Sequence, residues 1–155
     1  MKIAIFTDGA ARGNPGPGGY GVVLLSDAGH HKELSGGFRN TTNNRMELLA
    51  VIKGLEALKN PSTVTVFSDS KYVVEAVTKG WLDNWRRKGF AGKKNPDLWR
   101  RYLEVSHPHR ITFEWVKGHA GNKYNERCDQ LAVEASKKPD LPPDLGYEKE
   151  VGKLL

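Results

Sequence analysis

Two segments rich in β-forming residues each end in an aspartate, and the helical pattern between them constrains the fold of this chain most. Residues 2 to 8 stop at Asp8-Gly9, and residues 63 to 67 stop at Ser68-Asp69-Ser70. From Asn43 to Leu58, apolar residues recur at the spacing of one helix face. A strand, a helix and a strand in this order normally form a parallel pair with a right-handed crossover. If the two strands are neighbours, both aspartates emerge at the same sheet edge, where open α/β sheets bind ligands.

The remaining pattern completes a single α/β domain. Residues 20 to 25 and 32 to 38 flank a turn and predict a hairpin, so the first three strands are expected to be antiparallel. We predict a further strand over residues 110 to 116 and helices over residues 70 to 78, 97 to 106 and 123 to 137. The Gly- and Pro-rich residues 13 to 19 are expected to lack regular structure. The domain should cover residues 1 to 138, followed by an extended or loosely attached C-terminal tail over residues 139 to 155.

Composition narrows the class of partner and the compartment. The net charge of +6 and the pI of 9.4 favour a polyanionic partner, because basic surfaces bind nucleic acid through counterion release, although charge alone leaves this open. No apolar run approaches the roughly 20 residues of a spanning helix, so we expect no membrane association. The single cysteine, Cys128, excludes an intramolecular disulfide. With no signal-peptide pattern after Met1, we expect a cytoplasmic protein, and we expect a monomer because no additional apolar surface is evident.

Each acidic residue near the predicted sheet edge also has an ordinary explanation. Asp8 before a glycine is favourable turn chemistry, and Asp69 before a helix is favourable capping chemistry. Glu47 could complete a capping box with Asn44, three residues earlier. Asp129 could be a solvated charge on the last predicted helix. The pattern alone leaves the structural and the functional explanation open for each of them.

Six short strings resemble the bacterial type 1 ribonuclease H family and occur in the order of that family. They are Thr7-Asp8-Gly9, Gly13 to Gly21, Thr41 to Leu48, Ser68-Asp69-Ser70, Trp115 to Gly121 and Asn125 to Asp129. The resemblance extends from Ile3 to about Ala135. It implies an α/β ribonuclease H-like fold, in which a five-stranded mixed sheet of order 3-2-1-4-5 is flanked by helices. In that order the strand of Asp8 lies beside the strand of Asp69.

The resemblance assigns both catalysis and metal binding to four carboxylates, those of Asp8, Glu47, Asp69 and Asp129. Four converging carboxylates repel one another and persist near neutral pH only if cations neutralise them. Oxygen-only ligation selects Mg²⁺ or Mn²⁺, and we expect two ions per active site when substrate is bound. The implied reaction is hydrolysis of the RNA strand of an RNA–DNA hybrid by metal-assisted attack of water. Its expected products carry an RNA 3′-hydroxyl and a 5′-phosphate.

His119 is a further catalytic candidate. A lone histidine is more often structural, but this one precedes the helix of Asp129 in a glycine-flanked segment. The resemblance assigns it to proton transfer or product release. Glu126, one turn from Asp129, is a candidate for assisting metal or product handling.

Recognition of the hybrid is assigned by the resemblance to short polar side chains. Contacts with 2′-hydroxyls distinguish RNA from DNA, and Asn14, Asn43 and Asn44 are placed along the minor groove. Thr42 and the adjacent helix N-terminus are available for a phosphate of the DNA strand. The alternative is that these residues serve as turn and cap residues. Lys71 stands where the family often has glutamine, which is expected to change a groove contact without abolishing activity.

A stretch that interleaves aromatic and basic side chains resembles the basic protrusion of the family. It runs from Trp81 to Lys94, and its candidate substrate-binding residues are Trp81, Trp85, Arg86, Arg87 and Lys88. Its loop from Phe90 to Asp97 is shorter than in some bacterial members. The alternative is a solvated pair of helices whose tryptophans pack into the core, and the two can coexist if Trp81 is buried while the cations face outward.

Two other functions are compatible with parts of the pattern. A hybrid-binding module without catalysis predicts that one of the four acidic positions is neutral, but all four are acidic. A nuclease of the same fold that acts on DNA strands or junctions, as integrases and resolvases do, would share the carboxylates. Asn14 and the string Thr41 to Asn44 favour instead the reading of 2′-hydroxyls.

Overall fold

The computed structural model describes residues 1–117 and 121–152, which form five strands and six helices. The strands are β1 (Lys2–Ala11), β2 (Gly16–Ser26), β3 (His31–Thr41), β4 (Thr63–Ser68) and β5 (Arg110–Trp115). The helices are α1 (Asn43–Glu56), α2 (Lys71–Thr78), α3 (Trp81–Arg87), α4 (Pro96–Ser106), α5 (Lys123–Ser136) and α6 (Leu145–Gly152). No helix among these residues has the length and apolarity that crossing a bilayer demands.

The sheet confirms the predicted topology. Its order is β3-β2-β1-β4-β5, with β1, β2 and β3 antiparallel and β4 parallel to both β1 and β5. The parallel register pairs Ile5 with Val66 and Phe6 with Phe67. The segments that follow Phe6 and Phe67 therefore leave the sheet at the same edge.

Successive residues of the central strands face opposite sides of the sheet, so each side has its own core. Ile5 and Val22 belong to the larger cluster, which also contains buried residues of α1, α2 and α4. Phe6 and Val23 belong to the smaller cluster, together with Cys128 of α5. The sheet is thus covered by α5 on one face and by the other core helices on the opposite face.

Two expectations about strand ends were wrong. Asp8-Gly9 does not end β1, which continues to Ala11, and residues 16 to 19 are not irregular but begin β2. Ala10 pairs with Gly19, and Ala11 with Gly18. A side chain at Gly19 would overlap the backbone of Ala132 in α5, so this glycine permits close packing of a helix and does not mark a loop.

The segment after residue 139 differs from the expected loose tail. It contains α6, and Asp144 at its start is buried. The Asp144 carboxylate accepts hydrogen bonds from Arg45 Nε at 2.8 Å and from Thr41 Oγ1 at 2.7 Å. The backbone N–H of Arg39 donates to Pro142 O at 2.9 Å. Because a buried arginine requires anionic partners, this ion pair holds the segment on the domain, and the proline-rich composition gave no sign of it.

Candidate active site

Four acidic side chains, from β1, α1, the β4–α2 connection and α5, line one open pocket of about 420 Å³. Oxygen atoms of Asp8, Glu47 and Asp69 lie within 4.8 Å of one another. Asp129 lines the same pocket. We call these four residues the acidic cluster. The sequence separates its members by up to 121 residues, and folding brings them together.

Close backbone packing explains how the two helical members reach the cluster. Gly9 follows Asp8 on β1, and a side chain there would overlap the backbone of Met46 and Glu47. A side chain at Gly21 on β2 would likewise overlap the backbone carbonyl of Cys128, next to Asp129. Glycine at these two positions therefore lets α1 and α5 lie directly on the sheet. Asp8 and Asp69 themselves follow the neighbouring parallel strand positions Phe6 and Phe67.

The cluster disfavours its own negative charge. Burial, followed by the nearby charge of Asp69, raises the pKa of Asp8 from 3.8 to about 7. Burial, followed by the charges of Asp8 and Asp69, raises the pKa of Glu47 well above its ordinary value. In the part of the chain that the structure describes, the buried Oε1 atom of Glu47 has no hydrogen-bond partner. A carboxylate oxygen left in this state requires a cation or a proton.

The donor set fits a hard divalent cation. Three carboxylates direct oxygen atoms toward one another, and one of these carboxylates, that of Glu47, has a buried oxygen with no hydrogen-bond partner among the described residues. All the ligands that they offer are oxygens. Such ligands suit Mg²⁺ and Mn²⁺ and do not suit softer metals, which prefer nitrogen or sulfur. The residues present therefore fit a site for divalent metal ions.

Lys71 and Trp115 stand beside the cluster. Lys71 lines the acidic pocket, and its Nζ atom lies 5.2 Å from the centre of the Trp115 ring. The Trp115 indole N–H donates to the backbone carbonyl of Asp69 at 3.2 Å. The sequence analysis named Trp115 only as the first residue of a family string and gave it no role. The parallel register, which pairs Trp115 with Ser68 just before Asp69, is the signal that finds it.

The short polar side chains assigned to hybrid recognition line a second groove. Its volume is about 560 Å³, and its lining includes Asn14, Thr42, Asn43 and Asn44. Asn43 and Asn44 also line the acidic pocket, so the groove continues from it. We call it the amide groove.

Hydrogen bonds hold the amide groove in shape. The Asn14 side-chain oxygen accepts from the backbone N–H of Asn43 at 2.9 Å, and the Asn43 side-chain oxygen accepts from Ala11 N–H at 2.6 Å. The Thr42 hydroxyl caps α1 by accepting from the backbone N–H of Arg45 at 3.3 Å. The capping box suggested for Asn44 and Glu47 is therefore wrong, because Thr42 occupies the cap position.

The cap of α2 is a serine. The Ser70 hydroxyl accepts from Val73 N–H at 3.2 Å, which leaves the preceding Asp69 carboxylate in the acidic pocket. The suggestion that Asp69 caps α2 is therefore wrong, because its neighbour Ser70 is the cap residue.

The basic stretch forms α3 and the turn after it, and the acidic pocket and amide groove are not lined by residues 81 to 88. Trp81 is 43% exposed, so its suggested burial was wrong. Trp85 is half-buried, with its ring centre 5.9 Å from that of Trp99. Arg86 and Arg87 are exposed, and both donate to Asp83, at 2.7 Å and 2.6 Å. Lys88 is exposed as well.

Five further residues complete the placement, two of them predicted from the sequence and three overlooked. His119 lies outside the described residues. Glu126 is exposed in the first turn of α5. Lys93, Lys94 and Tyr147 line the amide groove although none was selected from the sequence. The two lysines belong to the basic stretch. Tyr147 lies in α6, just after a proline-containing segment whose composition does not predict a helix.

Comparisons with known proteins agree on one family. The family model described as RNase H matches residues 1–137. The chain is 57% identical over 152 residues to a ribonuclease H of Trichodesmium erythraeum, covering 95% of this chain and 96% of that protein. It is 47% identical over 153 residues to a ribonuclease HI of Synechocystis, covering 96% of each.

Solved structures give the same result. LC9-RNase H1, a type 1 RNase H with the type 2 active-site motif, matches with a TM-score of 0.77 and 30% identity, covering 87% of this chain and 72% of that chain. A crystal structure of LC11-RNase H1 in complex with RNA/DNA hybrid matches with a TM-score of 0.60 and 30% identity, covering 86% and 95% of the two chains.

Proposed function

This chain belongs to the ribonuclease H family and is an endoribonuclease of RNA–DNA hybrids, and we propose that the acidic cluster carries its reaction. The proposed reaction is hydrolysis of the RNA strand by attack of water, leaving an RNA 3′-hydroxyl and a 5′-phosphate. The observation that supports it most directly is the convergence of three carboxylates within 4.8 Å, with Asp129 in the same pocket.

The acidic cluster would hold divalent metal ions, Mg²⁺ or Mn²⁺, and we propose two of them when substrate is bound. When bound, such ions supply a nucleophilic water at neutral pH and stabilise charge on the departing oxygen. The chain's own residues provide the ligand oxygens and fix their directions. Asp8 is oriented by the Gly9 N–H, which donates to its Oδ1 atom at 2.8 Å. The Asp69 backbone is held by the indole of Trp115.

His119 is proposed to move a proton or assist product release. Glu126 is proposed to help with metal or product handling, because it lies on the exposed side of α5, one turn before Asp129. The role of His119 rests on the family resemblance, and that of Glu126 on its spacing from Asp129.

We propose that the amide groove reads the hybrid. The oxygens of the Asn14 and Asn43 side chains are already occupied by backbone N–H groups, so their NH₂ groups are the donors offered to a ligand. Such donors suit 2′-hydroxyls and phosphate oxygens. Asn44 joins them, and Thr42, whose hydroxyl caps α1, lies where the helix N-terminus offers further donors.

Lys71 and the basic stretch are proposed to supply positive charge to the substrate backbone. Lys71 lines the acidic pocket, with its Nζ atom over the Trp115 ring, and would contact a phosphate beside the cleavage position. Lys88 is exposed. Arg86 and Arg87 both donate hydrogen bonds to Asp83, and they must break these bonds before they can contact a phosphate. Trp81 and Trp85 would pack against sugars. We also propose that the protein acts as a monomer in the cytoplasm, in keeping with a free, buried Cys128 thiol.

A panel of labelled duplexes tests the proposal. RNA–DNA, RNA–RNA and DNA–DNA duplexes are incubated with the protein in Mg²⁺ or in chelator, and the products are separated with each strand labelled in turn. We expect cleavage of the RNA strand of the hybrid in Mg²⁺ alone, by the wild type and by Asp27→Asn but not by Asp69→Asn. Asp27 is an exposed aspartate in the β2–β3 turn and serves as the matched control. Cleavage of the DNA strand, or cleavage in chelator, would overturn the proposal.

A further inference from the structure

The C-terminal helix forms one wall of the amide groove. Tyr147, Glu150 and Val151 of α6 line it together with Asn14 and the first turn of α1. Lys93 and Lys94 contribute a third side of the same groove. A segment that the sequence marks only as a tail therefore borders a surface that continues into the acidic pocket.

A buried ion pair fixes α6 relative to α1. Arg45, the third residue of α1, is 2% exposed and donates to both Asp144 and Asp97. Burial opposes the charge of its guanidinium, but the hydrogen bonds that Arg45 donates to the Asp97 and Asp144 carboxylates outweigh burial and raise its pKa. Asp144 also accepts from the backbone N–H of Tyr147 at 3.3 Å. The position of Tyr147 is thus tied to the helix turn that carries Thr42, Asn43 and Asn44.

The chemistry of the groove matches a sugar–phosphate backbone. The two lysines provide charge for phosphates, and the asparagines provide neutral donors. Tyr147, which is half-buried, lines the same groove with an aromatic ring of the kind that packs against sugars or bases.

We propose that α6 is part of the substrate-binding surface and that Tyr147 packs against the backbone of the RNA–DNA hybrid at a position beside the cleavage site. This inference rests on the proposed function of the acidic cluster. It adds a contact from the C-terminal segment that helps to select duplexes long enough to reach the groove.

The test compares Tyr147→Ala with Tyr147→Phe and with Leu145→Ala, over a series of hybrids of decreasing length. Leu145 is the matched control, because it lies on the same helix and is 74% exposed. For long hybrids, Tyr147→Ala should raise KM about fivefold or more with kcat unchanged, as loss of an aromatic packing contact predicts. Tyr147→Phe and Leu145→Ala should match the wild type.

Hybrid length separates a substrate contact from a structural role. The effect of Tyr147→Ala on KM should disappear for hybrids too short to reach the groove. An equal KM increase at every length, a change in kcat, or no change at all would overturn the inference. Because Tyr147→Ala could fail to fold, Lys94→Gln in the same groove provides a second probe, and it should reduce the slope of log affinity against log salt by about 0.9. An unchanged slope would contradict the inference.

Binding measured without cleavage distinguishes this inference from the proposed function. The fluorescence anisotropy of a labelled hybrid is titrated with Asp69→Asn and with Asp69→Asn combined with Tyr147→Ala. Weaker binding by the double variant, with length dependence, supports the α6 contact even if the wild type does not cleave hybrids. Equal binding by both variants overturns the α6 contact even if the wild type cleaves as proposed.

Discussion

Replacing Asp8 by asparagine should stabilise the protein in the absence of metal ions. Asparagine keeps an oxygen that can accept the Gly9 N–H hydrogen bond, and it removes one negative charge from the acidic cluster. The pKa of Asp8 is raised from 3.8 to about 7, first by burial and then by Asp69. A shift of this size corresponds to a destabilisation by the ionised carboxylate on the order of 2 to 4 kcal/mol.

The sign of the pH dependence follows from the raised pKa. Between pH 3.8 and about 7 the folded state holds a proton on Asp8 that the unfolded state has lost, so the stability of the wild type falls as the pH rises through this range. Above about pH 7 the loss is complete. Asparagine does not ionise, so Asp8→Asn does not lose stability in this way. The difference in unfolding free energy between the two proteins should therefore be largest at about pH 8 and should shrink toward pH 4.

Urea and thermal unfolding in chelator, from about pH 4 to pH 8, measure this difference. At pH 8 we expect Asp8→Asn to unfold about 5 to 15 °C above the wild type, given roughly 2 to 4 °C per kcal/mol for a domain of this size. Asp27→Asn should match the wild type throughout. Adding Mg²⁺ should stabilise the wild type more than Asp8→Asn. A variant less stable than the wild type at pH 8, or a difference that is constant with pH, would refute the reasoning.

Three further outcomes follow from other contacts. Asp144→Asn leaves the buried Arg45 guanidinium short of a charge partner, which should cost about 3 kcal/mol and lower the Tm by roughly 10 °C, whereas an unchanged Tm would show that the ion pair does not hold α6. Lys71→Gln removes a cation from the acidic pocket, so it should tighten Mn²⁺ binding and weaken hybrid binding at low salt, and the absence of both effects would place Lys71 outside the site. Changing residues 86 to 88 to glutamine should weaken hybrid binding and flatten its salt dependence while turnover at saturation is retained, and a slope equal to that of the wild type would contradict the assignment.

The fold was predictable wherever a repeating pattern or a family string covers the chain. The helical spacing over α1 and the β-rich runs ending near Asp8 and Asp69 predicted the parallel unit, and the resemblance supplied the sheet order. Strand ends were less predictable, because glycine has two uses. At Gly9 and Gly19 it permits close approach of a helix, whereas local pattern alone indicates a turn.

The candidate site was predictable to a different extent for its two parts. The acidic cluster could be named because each carboxylate sits in a recognisable string. Tyr147 and the Asp144 anchor could not, because their places depend on a partner far along the chain. Asp144, one of the two carboxylates that neutralise Arg45, lies 99 residues away from it, in a segment whose prolines and glycine indicate irregular structure. Long-range pairing of this kind leaves no periodic signal in the sequence.

The most direct test of the metal-binding cluster is a titration of the metal-free protein with Mn²⁺. Electron paramagnetic resonance measures the concentration of free Mn²⁺ at each step. Glu47→Gln removes the charge next to a buried oxygen that has no partner among the described residues. Glu114→Gln makes the same chemical change at an exposed position on β5. We predict that Glu47→Gln weakens Mn²⁺ binding by about tenfold or more while Glu114→Gln binds as the wild type does. Equal affinity in all three proteins would contradict a cluster built to hold divalent ions.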